Sequence, residues 1–237
     1  MLGEISEFRG DKLKQILDKE EIRRYVAESD FESCFSFSIK EDVRLYLADK
    51  GDDILKEGEK SDGFLYYMVS GRAKLFCSLS NGKTSLLDFL KGDCFIGELE
   101  LLSVRKSTMG VKALSPCLLL ALPIEKYRSL LLSDACFLRV LCMTLARKEE
   151  QRVRALSSTQ GFPLANRLAH FVLFTAFDGI YTERNTDASA YLGVSYRHLT
   201  QMLGEFTKCG YLKRTQGGYC ITNEKALKQL ADELNVE

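Results

Sequence analysis

The segment 186–214 carries side chains that could read a nucleic acid. Arg197 and Gln201 lie four residues apart in sequence, among other hydrogen-bonding residues. In a helix placed in the DNA major groove, arginine can donate to guanine, and neighbouring polar side chains can face bases or phosphates. The predicted DNA-binding set consists of Thr186, Ser195, Tyr196, Arg197, His198, Thr200, Gln201, Lys213 and Arg214.

Two short helices, separated by a glycine turn, are predicted to hold these side chains. Gly193 can take the left-handed conformation that ends the first helix, and the Ser195 hydroxyl can cap the second. The apolar faces of the two helices comprise Ala188, Ala190, Tyr191 and Leu192, then Leu199, Met202, Leu203 and Phe206. A polar outer face on such a pair suits the major groove, although the same turn occurs in many helical proteins.

A β-hairpin is predicted after the second helix. Gly210 ends that helix, and residues 216–219 have the composition of a hairpin turn before the short strand 219–221. This order indicates a winged helix-turn-helix, in which Lys213 and Arg214 would contact phosphates. The chain has no net positive charge, because 33 Lys and Arg residues balance 33 Asp and Glu residues. Any affinity for nucleic acid must therefore come from a local group of basic side chains.

The first half of the chain has the pattern of a β-domain. Short apolar runs between residues 35 and 123 are separated by regularly spaced glycine turns, which predicts a β jelly roll. Asn81-Gly82 is the clearest hairpin signal. Residues 8–28 before it are predicted to form an amphipathic accessory helix.

A long helix is predicted from about Asp134 to Ser157. Its apolar stripe consists of Leu138, Leu141, Leu145, Val153 and Leu156. A second copy of the helix would cover this stripe and produce a homodimer; packing between two domains of one chain is the alternative.

The length and composition allow two modest domains in 237 residues. No apolar run is long enough to span a membrane, and the N-terminus has no apolar signal core, so we expect a cytoplasmic protein without a membrane partner. The predicted parts are an accessory helix (1–30), a β-roll sensor domain (31–132), a dimerisation helix (133–158) and a winged helix-turn-helix domain (159–237).

A glycine-led turn in the β-domain could hold an anionic ligand through backbone amides, a carboxylate and a downstream cation. The candidate effector-binding residues are Gly97, Glu98, Leu99, Arg105, Lys106, Ser107 and Thr108. A purely structural turn, with Glu98 bonding its own backbone, is the alternative.

The eight cysteines include no C-x-x-C pair, and buried thiols in a reducing compartment are the default expectation. A metal cluster and a redox-active disulfide involving Cys34 or Cys94 remain alternatives. The histidines, His170 and His198, form no catalytic constellation by spacing, so we assign no catalytic residue and expect no enzyme.

The order of these parts resembles the cyclic-AMP receptor protein / fumarate-nitrate regulator (CRP/FNR) family. The matching motifs occupy residues 51–58, 66–71, 92–99, 111–113 and 192–195. The particular residues at 94–101, 121–123 and 191–199 resemble the YeiL-like branch of the family. The resemblance implies an α+β protein with an N-terminal cyclic-nucleotide-binding-like jelly roll, a long dimerisation helix and a C-terminal winged helix-turn-helix. It also implies a homodimeric transcriptional regulator that binds a palindromic operator on double-stranded DNA and acts on RNA polymerase.

Departures from the family pattern bear on the ligand and the operator. Members that bind cyclic nucleotide have an Arg-Ser/Thr-Ala run where this chain has 107–109, and the displaced Arg105 and Lys106 argue against that ligand. The N-terminal cysteine cluster of the iron–sulfur members is represented only by Cys34, which does not support that cofactor. In place of the family's Arg-Glu-Thr after the recognition-helix serine stand residues 196–198, which should change the operator.

These features predict a transcriptional regulator whose β-domain senses an unidentified small molecule or a redox state. A shift between two dimer arrangements would reorient the recognition helices. The alternative is a cyclic-nucleotide-binding adaptor whose helix-turn-helix serves protein interaction.

Overall fold

A computed structural model describes residues 5–7, 13–80, 82, 84–102 and 108–232. Within 151–160 only the side chain of Val153 is described, and the side chains of 5–7 are not. The chain divides into two compact units: the described residues up to Ser78 with Leu87–Glu149, and Leu79–Leu86 with those from Glu150 onward. The finer division into four functional parts remains a prediction.

Two sheets form the N-terminal part, as the jelly-roll prediction requires. Their strands are β1 (Ile5–Glu7), β2 (Lys14–Ile16), β3 (Arg44–Ala48), β4 (Asp53–Leu55), β5 (Phe64–Ser70), β6 (Arg72–Ser78), β7 (Thr84–Lys91), β8 (Cys94–Ile96), β9 (Gly110–Ala113) and β10 (Cys117–Pro123). One sheet has the order β1-β2-β3-β10-β5-β8 and the other β4-β9-β6-β7. At the centre of the first sheet, Leu120 pairs with Leu45 on one side and with Tyr67 on the other, both antiparallel.

The central strand β10 is an unbroken apolar run because both of its faces are buried. Leu118, Leu120 and Leu122 belong to one core cluster. Leu119 and Ala121, which alternate with them, belong to the other. Strand β10 thus separates two hydrophobic cores.

The helices of this part are α1 (Lys19–Glu28), α2 (Glu98–Leu101), α3 (Ile124–Ser133) and the first half of α4 (Ala135–Gly161). The prediction of a helix over 8–28 was wrong for residues 14–16, which form β2. Ile16 is 1 % exposed in one core and Leu13 is 6 % exposed in the other. Burial on both sides and pairing with β3 therefore outweigh the helical spacing of the apolar residues. Helix α1 begins after Asp18, whose side chain accepts from the Glu20 and Glu21 amides.

The first half of α4 packs on the core of its own chain. Phe137 is fully buried, stacks on Phe35 at 5.4 Å and meets Phe95 edge-on at 5.6 Å. Leu141 is only 2 % exposed in the same core, so its prediction as a dimer contact was wrong. Helical spacing identifies an apolar stripe but not the surface that covers it.

The other predicted dimer contacts differ in their surroundings. Leu138 and Leu145 are partly buried and also pack against the core of the β-domain. Val153 is 52 % exposed, whereas the side chain of Leu156 lies outside the described residues.

The second unit continues from the end of α4 with a small helical domain and a hairpin. Its elements are α5 (Leu164–Thr175), β11 (Ile180–Tyr181), α6 (Asn185–Tyr191), α7 (Tyr196–Lys208), β12 (Leu212–Thr215), β13 (Gly218–Ile221) and α8 (Glu224–Asp232). The three strands pair in the order β11-β13-β12. Its buried side chains include Leu168 and Phe171 of α5 and Leu227 of α8.

The described helices differ from membrane-spanning ones in length or composition. No single one is both long and apolar enough to cross a bilayer. Helices Ile124–Ser133 and Ala135–Glu150, which meet at a bend of 93°, reach that length and composition only when taken together.

Candidate nucleic-acid interface and effector cradle

The turn between α6 and α7 has the predicted geometry. Gly193 has a φ of 64°, in the left-handed region that glycine adopts without strain. Its amide donates to the Ala190 carbonyl at 3.2 Å, and the Val194 amide donates to the Ser189 carbonyl at 3.0 Å. These bonds satisfy the last carbonyls of α6 and end the helix.

Ser195 starts α7 as its N-cap. The backbone is extended at this residue, and the hydroxyl accepts a hydrogen bond from the His198 amide at 3.2 Å. Such a cap satisfies one of the orphan amide donors of the first turn. The position of the recognition helix along the chain is therefore set at Ser195.

Helix α7 has one buried face and one exposed face. Leu199 and Leu203 are fully buried and Phe206 nearly so, while Met202 is half-buried. The predicted apolar stripe is thus confirmed for α7. In α6 the corresponding face includes Ala188 and Leu192, but Ala190 is exposed and the small polar Ser189 is buried instead.

The exposed face of α7 carries the predicted base-reading side chains. Tyr196 is 55 % exposed, and Arg197 and His198 are also exposed. Gln201 donates to the exposed Glu205 carboxylate at 3.2 Å. The Thr200 hydroxyl donates to the Tyr196 and Arg197 carbonyls, at 3.1 and 2.9 Å, so Thr200 can act towards a ligand chiefly as an acceptor.

The wing follows α7 directly. Strands β12 and β13 pair with Lys213 opposite Cys220 and Arg214 opposite Tyr219, leaving a two-residue loop at 216–217. The Lys213 and Arg214 side chains are exposed, as is Thr186 near the start of α6. The described unit thus brings all nine predicted DNA-binding residues into one helix-turn-helix and wing.

The glycine-led turn in the β-domain is also present, as α2. Gly97 has a φ of 95°, and a Cβ there would lie 2.8 Å from the Phe64 carbonyl oxygen. Only glycine therefore fits without strain at this close approach. Leu99 is half-buried and Glu98 is buried.

Glu98 is held by a lysine rather than by its own backbone. The Lys148 ammonium of α4 lies 2.5 Å from the Glu98 carboxylate and donates to the Phe95 carbonyl at 3.0 Å. Arg128 of α3 binds the other end of α2 through the Leu101 carbonyl and, at 3.2 Å, the Glu100 carbonyl. Lys148 and Arg128 therefore each hold one end of this short helix.

Thr108 has a structural partner set as well. Its side chain is buried, and its hydroxyl donates to the Lys56 and Glu59 carbonyls. Its backbone exchanges bonds with Gly58 and Glu59 at 3.0 and 3.1 Å. The predicted effector residues Arg105, Lys106 and Ser107 lie outside the described residues.

Only part of the predicted effector site is described, and the cations described beside it are engaged within the β-domain. Lys148 binds the Glu98 carboxylate and Arg128 binds the Glu100 carbonyl, and the predicted cations Arg105 and Lys106 lie outside the described residues. A metal is without a described site: among the residues that the structure describes, no three His, Cys, Asp or Glu side chains are grouped to bind one. The eight cysteines are free thiols.

Burial works against thiol chemistry at the two cysteines considered as redox candidates. Burial, with a smaller effect of Asp30 and Cys136, raises the pKa of Cys34 to about 11. Burial also raises the pKa of Cys94 to about 12, although Lys148 opposes the shift. Both thiols are therefore protonated at neutral pH and are poor nucleophiles.

Two functional contacts escaped the sequence reasoning. Lys148 and Glu98 are 50 positions apart, and no local spacing links them. Asp134, where the long helix was predicted to begin, binds two segments: one oxygen accepts from the Cys136 amide at 3.0 Å and the other from the Ser36 amide at 2.9 Å. Long-range partners of this kind have no signal in a single sequence.

Known proteins share this architecture. The sequence of residues 47–134 matches the family model of the cyclic nucleotide-binding domain. The regulatory protein YeiL of Escherichia coli O157:H7 is 43 % identical over 212 residues, covering 90 % of this chain and 96 % of that protein. The cAMP-activated global transcriptional regulator CRP of Pasteurella multocida is 27 % identical over 121 residues, covering 51 % of this chain and 57 % of that protein.

A solved structure agrees in fold. A transcriptional regulator of the CRP/FNR family from Thermus thermophilus superposes with a TM-score of 0.61 at 21 % identity, covering 79 % of this chain and 98 % of that one. The β-roll, the helix-turn-helix and the long match to YeiL agree with one another, and the chain therefore belongs to the CRP/FNR family of transcriptional regulators, in the branch that includes YeiL.

Proposed function

We propose that the protein regulates transcription as a homodimer that binds a palindromic operator through two copies of α7. The observation that carries this proposal is the exposed polar face of α7, which Ser195 caps and the wing adjoins. A helix with such a face can lie in the DNA major groove, where its N-terminal residues contact the base edges.

Some residues of the helix-turn-helix and wing would contact DNA bases, and others would contact DNA phosphates. Arg197 has two parallel donors for guanine, and Gln201 can pair with adenine after leaving Glu205. Ser195, Tyr196, His198 and Thr200 would contact neighbouring bases or phosphates. Lys213 and Arg214 of the wing, with Thr186 of α6, would bind phosphates and add affinity without specificity.

The dimer would form along the side of α4 that the β-domain leaves uncovered. Leu141 faces the core, but Met143 and Val153 are 51 % and 52 % exposed, which is high for apolar side chains on a long helix. A second copy of α4 would bury both. Two-fold symmetry of the protein would then be mirrored in the operator.

The β-roll would serve as the effector domain, sensing a small molecule or a redox state. The displacement of Arg105 and Lys106 from the position of the family's phosphate-binding arginine argues against a cyclic nucleotide. The raised thiol pKa values of Cys34 and Cys94 argue against direct redox chemistry there. A small molecule other than a cyclic nucleotide is therefore the effector class that we favour. We further propose a cytoplasmic location and action on RNA polymerase, as befits a transcriptional regulator.

Selection of bound duplexes from a randomised pool, followed by titration at several salt concentrations, tests this function. We expect enrichment of a palindrome, one dimer per duplex by mass, and an affinity that falls steeply with salt. Lys60→Ala, which removes an exposed cation from the first unit, should bind like the wild type. A protein that binds no duplex even at low salt would contradict the proposal and favour the adaptor.

A further inference from the structure

Arg167 of α5 donates hydrogen bonds to two backbone carbonyls, one just after α4 and one at the end of α6. One guanidinium nitrogen, Nη1, donates to the carbonyl of Leu192, the residue that ends α6. Nε donates to the carbonyl of Phe162 at 3.3 Å. Phe162 directly follows the last residue of α4, and Leu192 directly precedes the Gly193 turn.

A guanidinium is suited to this bridge. It is planar and carries separate donors on Nε and Nη, so it can bind two carbonyls in fixed directions. Partial burial lowers the pKa of Arg167, but the group stays charged, and a charged donor binds a carbonyl more strongly than a neutral one. Its charge also complements the carbonyl end of α6.

The hydrogen bonds that shape the turn itself are local. The bonds of Gly193 and Val194 are made within α6 itself, and the cap at Ser195 is made within α7. The rings of Phe171 and Tyr191 lie 5.3 Å apart and connect α5 with α6, but a ring contact fixes orientation less strictly than a hydrogen bond.

We propose that Arg167 is the positioning residue of the helix-turn-helix, fixing the α6–α7 turn relative to the residue at which α4 ends. The exposed face of α7 then stands at a defined orientation for reading base edges. A movement at the end of α4 would reach the turn through the two hydrogen bonds of this side chain. This inference rests on the proposed function insofar as it concerns DNA.

Asn166, the neighbouring residue on α5, is a matched control. It is buried and donates to the Leu230 carbonyl at 3.0 Å, which ties α5 to α8. Asn166→Ala therefore removes a buried hydrogen bond from the same helix without touching Leu192. Arg167→Met keeps the length of the apolar stem but has no donor, and Arg167→Lys keeps the charge without the fork.

The first measurement is amide hydrogen exchange of the full chain, which does not depend on DNA. In Arg167→Met we expect exchange at 193–198 to rise about tenfold or more, with α8 unchanged. Asn166→Ala should raise exchange in α8 and leave 193–198 unchanged. Arg167→Lys should raise exchange at 193–198 by less than Arg167→Met does. Equal changes in both regions for both variants would make Arg167 a general stabilising residue and overturn the inference.

The second measurement is the ratio of affinities for the selected palindrome and for an unrelated duplex, taken well below the melting temperatures of all variants. Arg167→Met should lower this ratio about tenfold or more, whereas Asn166→Ala should preserve it. An unchanged ratio in Arg167→Met would overturn the positioning role. If the wild type itself does not discriminate between duplexes, the proposed function fails, and the exchange data still decide whether Arg167 fixes the turn.

Where Arg167→Met does not fold, Arg167→Lys decides the question. A folded Arg167→Lys with wild-type exchange at 193–198 and a wild-type affinity ratio would contradict the need for the guanidinium fork.

Discussion

The Lys148 ammonium lies 2.5 Å from the Glu98 carboxylate, and the two side chains are only 12 % and 10 % exposed. The contact joins the first half of α4 to the glycine-led turn after β8. It engages the carboxylate that the sequence analysis proposes as an effector-binding group. An effector that takes this carboxylate oxygen would compete with Lys148 and loosen one attachment of α4.

The first prediction concerns the energy of this pair. Lys148→Met leaves a buried carboxylate without its cation and should lower the free energy of unfolding by about 3–5 kcal/mol. The double variant Glu98→Gln/Lys148→Met should lose less than the sum of the single variants, because no charge is left unpaired. Urea denaturation followed by far-ultraviolet circular dichroism measures each value, since the chain has no tryptophan.

The Lys112–Asp53 pair is the control for this cycle. Its nitrogen and oxygen lie 2.7 Å apart, but the side chains are 36 % and 33 % exposed. Removing Lys112 should cost about 0–1 kcal/mol. Equal losses at the two lysines would show that burial does not set the strength of the Lys148 contact.

The second prediction compares two glycines. Gly97→Ala places a Cβ 2.8 Å from the Phe64 carbonyl at a φ of 95°, and should destabilise the protein by about 1–3 kcal/mol. Gly204→Ala, inside α7, meets nothing within 4 Å and should stabilise it by about 0.5–1 kcal/mol. Thermal unfolding of the two variants should shift in opposite directions, and a shift in the same direction would refute the backbone argument.

The third prediction concerns pH and Asp134. Burial raises the pKa of this carboxyl, but the backbone donors of Ser36, Cys136 and Phe137 outweigh it, and the net pKa falls below the usual 3.8. The stabilisation is therefore complete above the unfolded value and is lost as the pH falls through the lower folded value. Asp134→Asn, which replaces an acceptor with a donor, should cost about 1–2 kcal/mol at neutral pH.

Unfolding free energies of wild type and Asp134→Asn across the acid range check this sign. Their difference should be constant above pH 5 and should shrink as the pH falls below 3.8. A difference that grows on acidification would contradict the assignment.

The fourth prediction orders the thiols by reactivity. Cys209 is exposed at the end of α7, whereas burial raises the pKa of Cys34 to about 11 and that of Cys94 to about 12. A thiol reagent at neutral pH should modify Cys209 on the order of 100-fold faster than Cys34 or Cys94. Peptide mass spectrometry over time measures the rates, with unfolded protein as the reference. Rapid labelling of Cys34 or Cys94 would revive the redox hypothesis.

The DNA-binding half could be predicted from the sequence because its signals are local. The conformation at Gly193, the cap at Ser195, the stripe of Leu199 and Leu203, and the hairpin at 216–217 each depend on a few neighbouring residues. Local propensity and tertiary structure agree there, so pattern and fold coincide.

The contacts that hold α4 could not be predicted in the same way. Leu141 has the spacing of a dimer contact but packs on the core of its own chain, and Lys148 pairs with a residue 50 positions away. Likewise Ile16 has helical spacing but is drawn into the sheet by pairing with Leu45 of β3. Periodicity shows which face is apolar, whereas only the fold shows what covers it.

The affinity of wild type and Arg197→Ala for the selected palindrome, and for duplexes changed at each base in turn, tests the DNA-reading role of α7 most directly. Arg197→Ala should weaken binding to the palindrome by about 1–3 kcal/mol and lose discrimination at one base position in each half-site. Lys213→Ala should weaken binding to all duplexes alike and reduce its salt dependence. Equal affinity of wild type and Arg197→Ala for every duplex would contradict the assignment of α7 as the reading helix.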